Sequence, residues 1–297
     1  LFIFNSQIIG FFNLNDVEVV KMAEEYLRII AIGLTFHFLN PIFSTTLNST
    51  GNSGTPFKLN TLGLIVNMIL DPILIFGLGP IPALGVKGAA IATIFAQFIV
   101  TIIFIILGKQ SDAVYSHVNL FIKPDFEYIG KMVRLGFPPF VQTAIHSGIS
   151  MILTRIVADF GDTAVAVLNI GSQIESIAWM SAEGFSSAIS AFIGQNFGAG
   201  KTDRIKKGYY RGIQILGGIG IFASLLLIFG AKPLFTLFTP RDPVAIVEGT
   251  KYLRILGTCQ FFMCIEIGTA GAFNGIGKTL PPTLIGVIFN ISRIPWA

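Results

Sequence analysis

The 297 residues carry 53% hydrophobic side chains and only 12% charged ones, at a mean hydropathy of +0.74. Soluble domains approach a quarter charged, so a soluble enzyme or binding module is excluded. The net charge of +4 and the pI near 9.1 do not signal nucleic acid, because the basic residues are scattered through short loops between apolar runs, with no basic stripe and no RNA-recognition motif.

The chain opens at Leu1 with LFIFNSQIIGFF, an apolar run too short to span a bilayer. No charged region with a cleavage site precedes it, so no signal peptide is read. Residues 13–25 are acidic and amphipathic, and a spanning helix is expected from about 26 to 47, ending in a polar turn at 48–54. The next expected span is 57–79. From residue 59 to 79 it is apolar or uncharged at every position except Asp71. At 1.5 Å rise per residue, about 20 residues cross the ~30 Å hydrocarbon layer. A carboxylate at the centre of a membrane helix costs ~2.5–3.5 kcal/mol on insertion scales. Asn67 sits four residues earlier and shares the face of the acid. Pro72 cannot donate to the carbonyl of Met68, so a kink is expected there and an oxygen is left for a cation or water. An acid, an amide and a loosened backbone at one depth point to a cation site; the alternative is a structural hydrogen bond to a neighbouring helix.

Residues 85–107 form a third expected helix, opening with GVKGAAIAT, whose small residues allow close backbone approach. The polar stretch 108–136, with four Lys/Arg, is the best lobe boundary. Helices are then expected at about 137–160, 164–193, 209–229 and 252–273, with a truncated one from 283; both chain ends look cut. The 164–193 helix carries Asn169, Gln173, Glu175 and Glu183. The two glutamates are eight residues apart, about 80° around a helix, so both can face one cavity. They suit a polar or anionic lining for cationic substrates, or else salt bridges to Arg155 and contacts between helices. His37 and His146 are lone histidines, which more often fill a packing role than relay protons. Cys259 and Cys264 have no metal or redox spacing. Residues 198–202, GAGKT, resemble a phosphate loop, but Gln195 stands where that motif needs Gly and no strand precedes it, which argues against an ATP-driven pump. No nucleophile–base pair or metal-ligand spacing suggests a membrane enzyme, and no cofactor is implied.

Loop charge sets the orientation. Lys201, Arg204, Lys206 and Lys207, the 108–136 segment, Lys58 and Lys278 all fall on one side, while 158–163 and 76–85 carry no Lys or Arg. The basic side is expected to be cytoplasmic. An internal repeat gives the architecture. A shift of 226 residues places Phe12, Asp16, Tyr26-Leu27-Arg28-Ile29, Phe36, Asn48, Gly51 and Pro56 on identical residues, from Phe238 to Pro282. With a three-residue gap, Asn67 and Pro72 fall on Asn290 and Pro295. An even number of helices separates the copies, so the halves are parallel repeats about an axis along the membrane normal. The expected fold is an all-α polytopic membrane bundle of two parallel six-helix repeats, of which this chain holds about seven complete helices and two partial ones.

Three motif groups resemble the multidrug and toxic compound extrusion (MATE) family. They are Gly194-Gln-Asn-Phe-Gly-Ala-Gly-Lys201; Leu47-Asn-Ser-Thr-Gly-Asn52 with its repeat Phe273-Asn-Gly-Ile-Gly-Lys278; and Asn67-x-x-x-Asp71-Pro72 followed by Gly85–Thr93. The resemblance covers essentially the whole chain, from the third family helix into the eleventh. It implies that residues 1–108 complete an N-lobe, 109–136 form a cytoplasmic interlobe connection and 137–297 form a C-lobe. It also implies a secondary exporter in the plasma membrane, driven by H⁺ or Na⁺ and passing amphipathic, often cationic, compounds outward by alternating access. In the DinF-like branch the cation site takes an Asn and an Asp from the fifth helix and a Thr from the sixth, matched here by Asn67, Asp71 and Thr93. An Asp from the first helix falls outside this chain. The other branch uses acids on the seventh and tenth helices, where His146 and Met263 stand here, although Glu266 leaves a shifted C-lobe site open. Expected partners are a small-molecule substrate and membrane lipid, with no nucleic acid and a monomeric state. The alternatives are a related lipid-linked oligosaccharide flippase and a non-pumping channel or scaffold.

Overall fold

The computed structural model describes residues 5–10, 17–110 and 124–293, and among them every regular element is an α-helix. In chain order these are α1 (Asn5–Gly10), α2 (Val17–Ser49), α3 (Gly54–Phe76), α4 (Val86–Gln110), α5 (Phe126–Ala158), α6 (Asp162–Gly198), α7 (Thr202–Phe229), α8 (Ala231–Phe238), α9 (Pro243–Gly275) and α10 (Leu280–Ser292). They fall into two compact units, α1–α4 and α5–α10. Among the described residues α2, α3, α4, α5, α7 and α9 are long and apolar enough to cross a bilayer. The expected all-α polytopic architecture is the one found. At 37 residues α6 is long enough to cross, but its polar and small residues interrupt the apolar run.

The helices outlast the apolar runs that announced them, because hydropathy marks the lipid layer and capping marks the helix end. α5 begins at Phe126 rather than near 137, since the Asp125 carboxylate accepts from the backbone N–H groups of Glu127 (2.9 Å) and Tyr128 (3.3 Å). Asp242 starts α9 in the same way, through Val244 N and Ala245 N, with Pro243 in the first turn, where a missing N–H costs nothing. α2 absorbs residues 17–25 of the acidic segment. There Glu25 pairs with Lys87 at the start of α4, at 3.1 Å. That lysine lies next to a connection otherwise free of positive charge.

Two of the three motif groups that carry the family resemblance share one backbone device. After α2, Gly51 N donates to Asn48 O (3.0 Å) and Asn52 N to Leu47 O (3.0 Å). After α9, Gly277 N donates to Asn274 O and Lys278 N to Phe273 O, both at 3.0 Å. After α6, Gly200 N donates to Phe197 O (3.0 Å) and Lys201 N to Asn196 O (2.9 Å). Each is a Schellman cap with glycine in the left-handed region, at φ 87°, 73° and 67° respectively. Every cap turns the chain into the next helix on its basic side. The backbone N–H groups of Gly200 and Lys201 are thus spent on helix carbonyls and cannot cradle a phosphate. A Cβ in this conformation costs roughly 1–2 kcal/mol. Gly200→Ala is therefore expected to lower the thermal midpoint, whereas Gly198→Ala, with nothing within 4 Å of its added Cβ, is expected not to. Detergent-solubilised thermal unfolding of the two variants checks the contrast.

In the first unit α4 lies against both α2 and α3. Leu47, Leu59, Val100 and Phe104 form its buried centre, with Phe43 stacked on Phe104. Contact with α3 is close at both ends: a Cβ on Gly63 would strike Val100, and one on Gly88 would strike the backbone of Leu74. In the second unit α9 is the central helix, packed on α6, α7 and α8, while α10 pairs with α5. Its buried stripe includes Gly249, Leu253, Gly257, Gln260, Cys264, Gly268 and Gly271. Small residues at this spacing let helix backbones approach where lipid provides no hydrophobic drive for their association.

Candidate functional site

Asp71 lies on α3 about 9 Å from the helix midpoint, toward the end opposite Lys58. Gly63, Asn67, Asp71 and Leu74 form one helical stripe, and its two ends touch α4, Gly63 at Val100 and Leu74 at Gly88. The acid and amide are therefore carried on the face of α3 that meets α4. Both are half-buried. Asn67 Nδ2 donates to Asp71 Oδ1 at 3.3 Å, the i, i+4 contact that the spacing predicts. Among the described residues no Lys, Arg or His lies within salt-bridge distance of Asp71. Among the described residues the carboxylate thus has one amide as its hydrogen-bond partner and no cationic neighbour, an arrangement that suits a small cation. Pro72 sits inside the helix and leaves the Met68 carbonyl without its usual donor. Thr93 is half-buried on α4, and its hydroxyl donates to Ala89 O at 2.9 Å, one turn back on its own helix. No hydrogen bond joins it to Asn67 or Asp71 among the described residues.

A second polar group in this unit is absent from the expected set. Asn40, 4% exposed, donates from Nδ2 to Gln97 O (3.0 Å) and Gln97 Oε1 (2.6 Å). Its Oδ1 accepts from the Thr101 hydroxyl at 2.8 Å. This triad ties α2 to α4, with the buried amide of Asn40 hydrogen-bonded through both its nitrogen and its oxygen. The signal available in the sequence was Asn40-Pro41 within an apolar run, an amide beside a helix-loosening residue.

In the second unit the five candidates part company. Glu175 turns toward α9, where Gln260 Nε2 donates to its Oε1 at 3.0 Å. Asn169, Gln173, Glu183 and Glu266 are exposed. Glu266 lies about 200° around α9 from the buried Cys264, on the opposite side from the stripe. Arg155 forms no salt bridge with Glu175 or Glu183 among the described residues. His146 on α5 shares a 3.0 Å hydrogen bond between its Nδ1 and Asn290 Oδ1 on α10. The repeat partner of Asn67 is thus matched with a histidine from another helix rather than with an acid from its own. Pro295, the partner of Pro72, lies outside the described residues. Gln260, missed from sequence, is at 1% exposure the most buried polar side chain of this unit among the described residues.

Comparison with known proteins fits this architecture. The chain matches the MatE family over residues 1–73 and 138–297. It is 30% identical over 296 residues to a probable multidrug resistance protein NorM of Thermotoga maritima, covering 98% of this chain and 62% of that protein. It is 30% identical over 273 residues to the probable multidrug resistance protein YoeA of Bacillus subtilis, covering 91% and 59%. A FAD transporter of Shewanella oneidensis is 27% identical over 295 residues, covering 98% and 63%. Among solved structures, a MOP superfamily transporter from Pyrococcus furiosus superposes with a TM-score of 0.88 at 22% identity, over 97% of this chain and 63% of that one. A MATE structure in the straight conformation gives 0.86 at 23% identity, over 97% and 64%. At such identity the superpositions speak for the fold alone. The chain spans about three-fifths of the length of these relatives. With its apolar spans, its paired caps and this match, the chain is a multi-pass cell-membrane protein and belongs to the MatE family, the multidrug and toxic compound extrusion transporters its motifs resemble.

Proposed function

We propose that this chain forms the greater part of a secondary exporter that exchanges H⁺ or Na⁺ for an amphipathic, cationic compound moved outward. One observation carries the proposal: Asp71, on an otherwise uncharged stretch of membrane helix, is hydrogen-bonded only to Asn67 and has no cationic side chain within reach among the described residues. An intramembrane acid held in this way is a cation-loading group by default. Alternating exposure of that group to the two sides of the membrane converts an ion gradient into transport. Asn67 orients the carboxylate and Pro72 frees a backbone oxygen beside it; Thr93 adds a hydroxyl on the facing helix. The acidic and amide side chains of α6 and α9, namely Glu175, Glu183, Glu266, Asn169 and Gln173, favour a positively charged substrate. They count against a polyprenyl-diphosphate lipid or another polyanion, which a cationic cavity would serve better. The protein acts as a monomer in lipid, is not an enzyme and needs no cofactor beyond the coupling ion.

The test is transport by the full-length protein in proteoliposomes loaded with a cationic dye. An imposed H⁺ or Na⁺ gradient is expected to drive the dye uphill, with accumulation collapsing when an ionophore removes the gradient. Dye movement that only equilibrates would identify a channel, and no movement with or without a gradient would leave a scaffold.

A further inference from the structure

Glu175 and Gln260 meet at the heart of the second unit. Gln260 lies one residue from the midpoint of α9, on the helix's buried stripe. α7 closes over it: a Cβ on Gly220 would lie 2.8 Å from Phe261 Cα and 3.3 Å from Gln260 O. The amide Nε2 donates to Glu175 Oε1 at 3.0 Å and, more weakly, to Leu256 O at 3.4 Å. Its Oε1 is buried and accepts from no described protein group. Glu175 is half-buried and has no Lys, Arg or His within salt-bridge distance among the described residues. The surroundings supply little charge. α7 contributes Leu216, Gly217 and Gly220 to the buried interface. α9 contributes Cys264 and, packed on Gly171 one turn from Glu175, Tyr252, which interacts electrostatically with Glu175 and with Arg293 at the end of α10. Glu183 lies two turns further along α6.

Two oxygen-bearing groups therefore share a helix interface with nothing positive at contact among the described residues. A buried acceptor without a donor is costly, and an unneutralised carboxylate more so. A water molecule could donate to Gln260 Oε1 and to the carboxylate, but only a cation ligates the amide oxygen and also neutralises the carboxylate. Acid and amide oxygens suit a hard ion, and a single carboxylate balances a single positive charge.

We propose that Glu175 and Gln260 form a second site for a small monovalent cation, Na⁺ or H⁺, separate from Asp71 and independent of whether Asp71 couples export. Gln260 Oε1 is joined to Nε2 through one carbon, so it lies within about 5.6 Å of Glu175 Oε1. The terminal amide torsion is soft, and turning the amide end for end presents Oε1 in place of Nε2. In the unloaded state Nε2 donates to the carboxylate. In the loaded state Na⁺ is shared by Gln260 Oε1 and the carboxylate, or a protonated Glu175 donates its O–H to Gln260 Oε1. Because the pair joins α6 to α9, loading changes a contact between the two most extensively packed helices of the unit.

Trp179 lies one turn beyond Glu175 on the same face of α6 and serves as a fluorescence reporter. The full-length protein in lipid nanodiscs carries Asp71→Asn, which removes the first site. Na⁺ is titrated against K⁺ at constant ionic strength and fixed pH, and pH is titrated separately in K⁺ alone. A saturable fluorescence change is expected in one titration, its identity naming the ion. That change is expected to vanish with Glu175→Gln and to weaken about ten-fold in midpoint with Gln260→Leu, the loss of one ligand. Should Glu175→Gln not fold, Gln260→Asn, one methylene shorter, still has to shift the midpoint. No response in the Asp71→Asn protein, or a response that Glu175→Gln leaves unchanged, overturns the proposal; the first would mean that the Gln260 oxygen holds water only, the second that the ion binds elsewhere. Neither result bears on dye efflux, which is read in a different assay on a different residue.

Discussion

Replacing Asp71 with Asn is expected to abolish gradient-driven dye accumulation while leaving insertion and folding intact. The substitution keeps the side chain's size and a hydrogen-bonding partner for Asn67, so the stripe between Gly63 and Leu74 has no reason to repack. It removes the one formal charge between residues 59 and 79, which lowers the cost of insertion by up to ~2.5–3.5 kcal/mol for a central position. A loss of transport therefore cannot be assigned to a failure to enter the membrane. Without the charge no cation is held, and the two directions of the transport cycle lose their linkage to the gradient. Asn67→Ala is expected to be milder, because it removes an orienting amide and not the charge. Both variants are compared in proteoliposomes at matched protein incorporation. Undiminished uphill efflux by Asp71→Asn would take this residue out of the mechanism.

The visibility of each site in the sequence depended on whether its partners share a helix. Asn67 and Asp71 do, four residues apart, so helical periodicity alone brought them together, and the 3.3 Å contact followed. Asn40 and Thr101 are 61 residues apart, and Glu175 and Gln260 are 85 apart. Their pairing depends on which helix faces which, information that no local pattern contains. The repeat pointed to Asn290 as the counterpart of Asn67 but not to His146, because the two copies have diverged in what faces that position. The long apolar helices were legible and helix ends were not, while the eight-residue α8 lies where no helix was expected, being too short to leave an apolar run of membrane length. The lipid layer sets the length of an apolar run, whereas Asp125, Asp242 and the capping glycines set where the backbone stops being helical. Thr93 shows the converse limit. A threonine in the right place by motif has its hydroxyl on Ala89 O, and nothing in its spacing distinguishes that use from ion ligation.

The largest stability effect is expected where α6 and α9 approach most closely. A Cβ added to Gly271 would fall on the Ser186 side chain and within 2.6 Å of Ser186 O. Backbone cannot swing aside as a flexible side chain can, so even Gly271→Ala has to push the helices apart. The displacement would spread to Ser186, whose hydroxyl donates to Ile267 O at 2.8 Å across the same interface. It would also spread to Gly275, whose added Cβ meets Ser190 O at 2.5 Å. Overpacking of this kind costs typically 1–3 kcal/mol, and more where backbone must move. The same substitution at Gly184, on the exposed face of α6, meets nothing within 4 Å. There it should stabilise by roughly 0.5–1 kcal/mol, since alanine loses less backbone freedom than glycine on entering a helix. One chemical change at two helical glycines is thus expected to move thermal stability in opposite directions, measured by the midpoint of heat-induced loss of the monodisperse peak in size-exclusion chromatography. Equal behaviour of the two variants would mean that α6 and α9 are not held together through their small residues. The Glu175–Gln260 contact that depends on that packing would then lose its support.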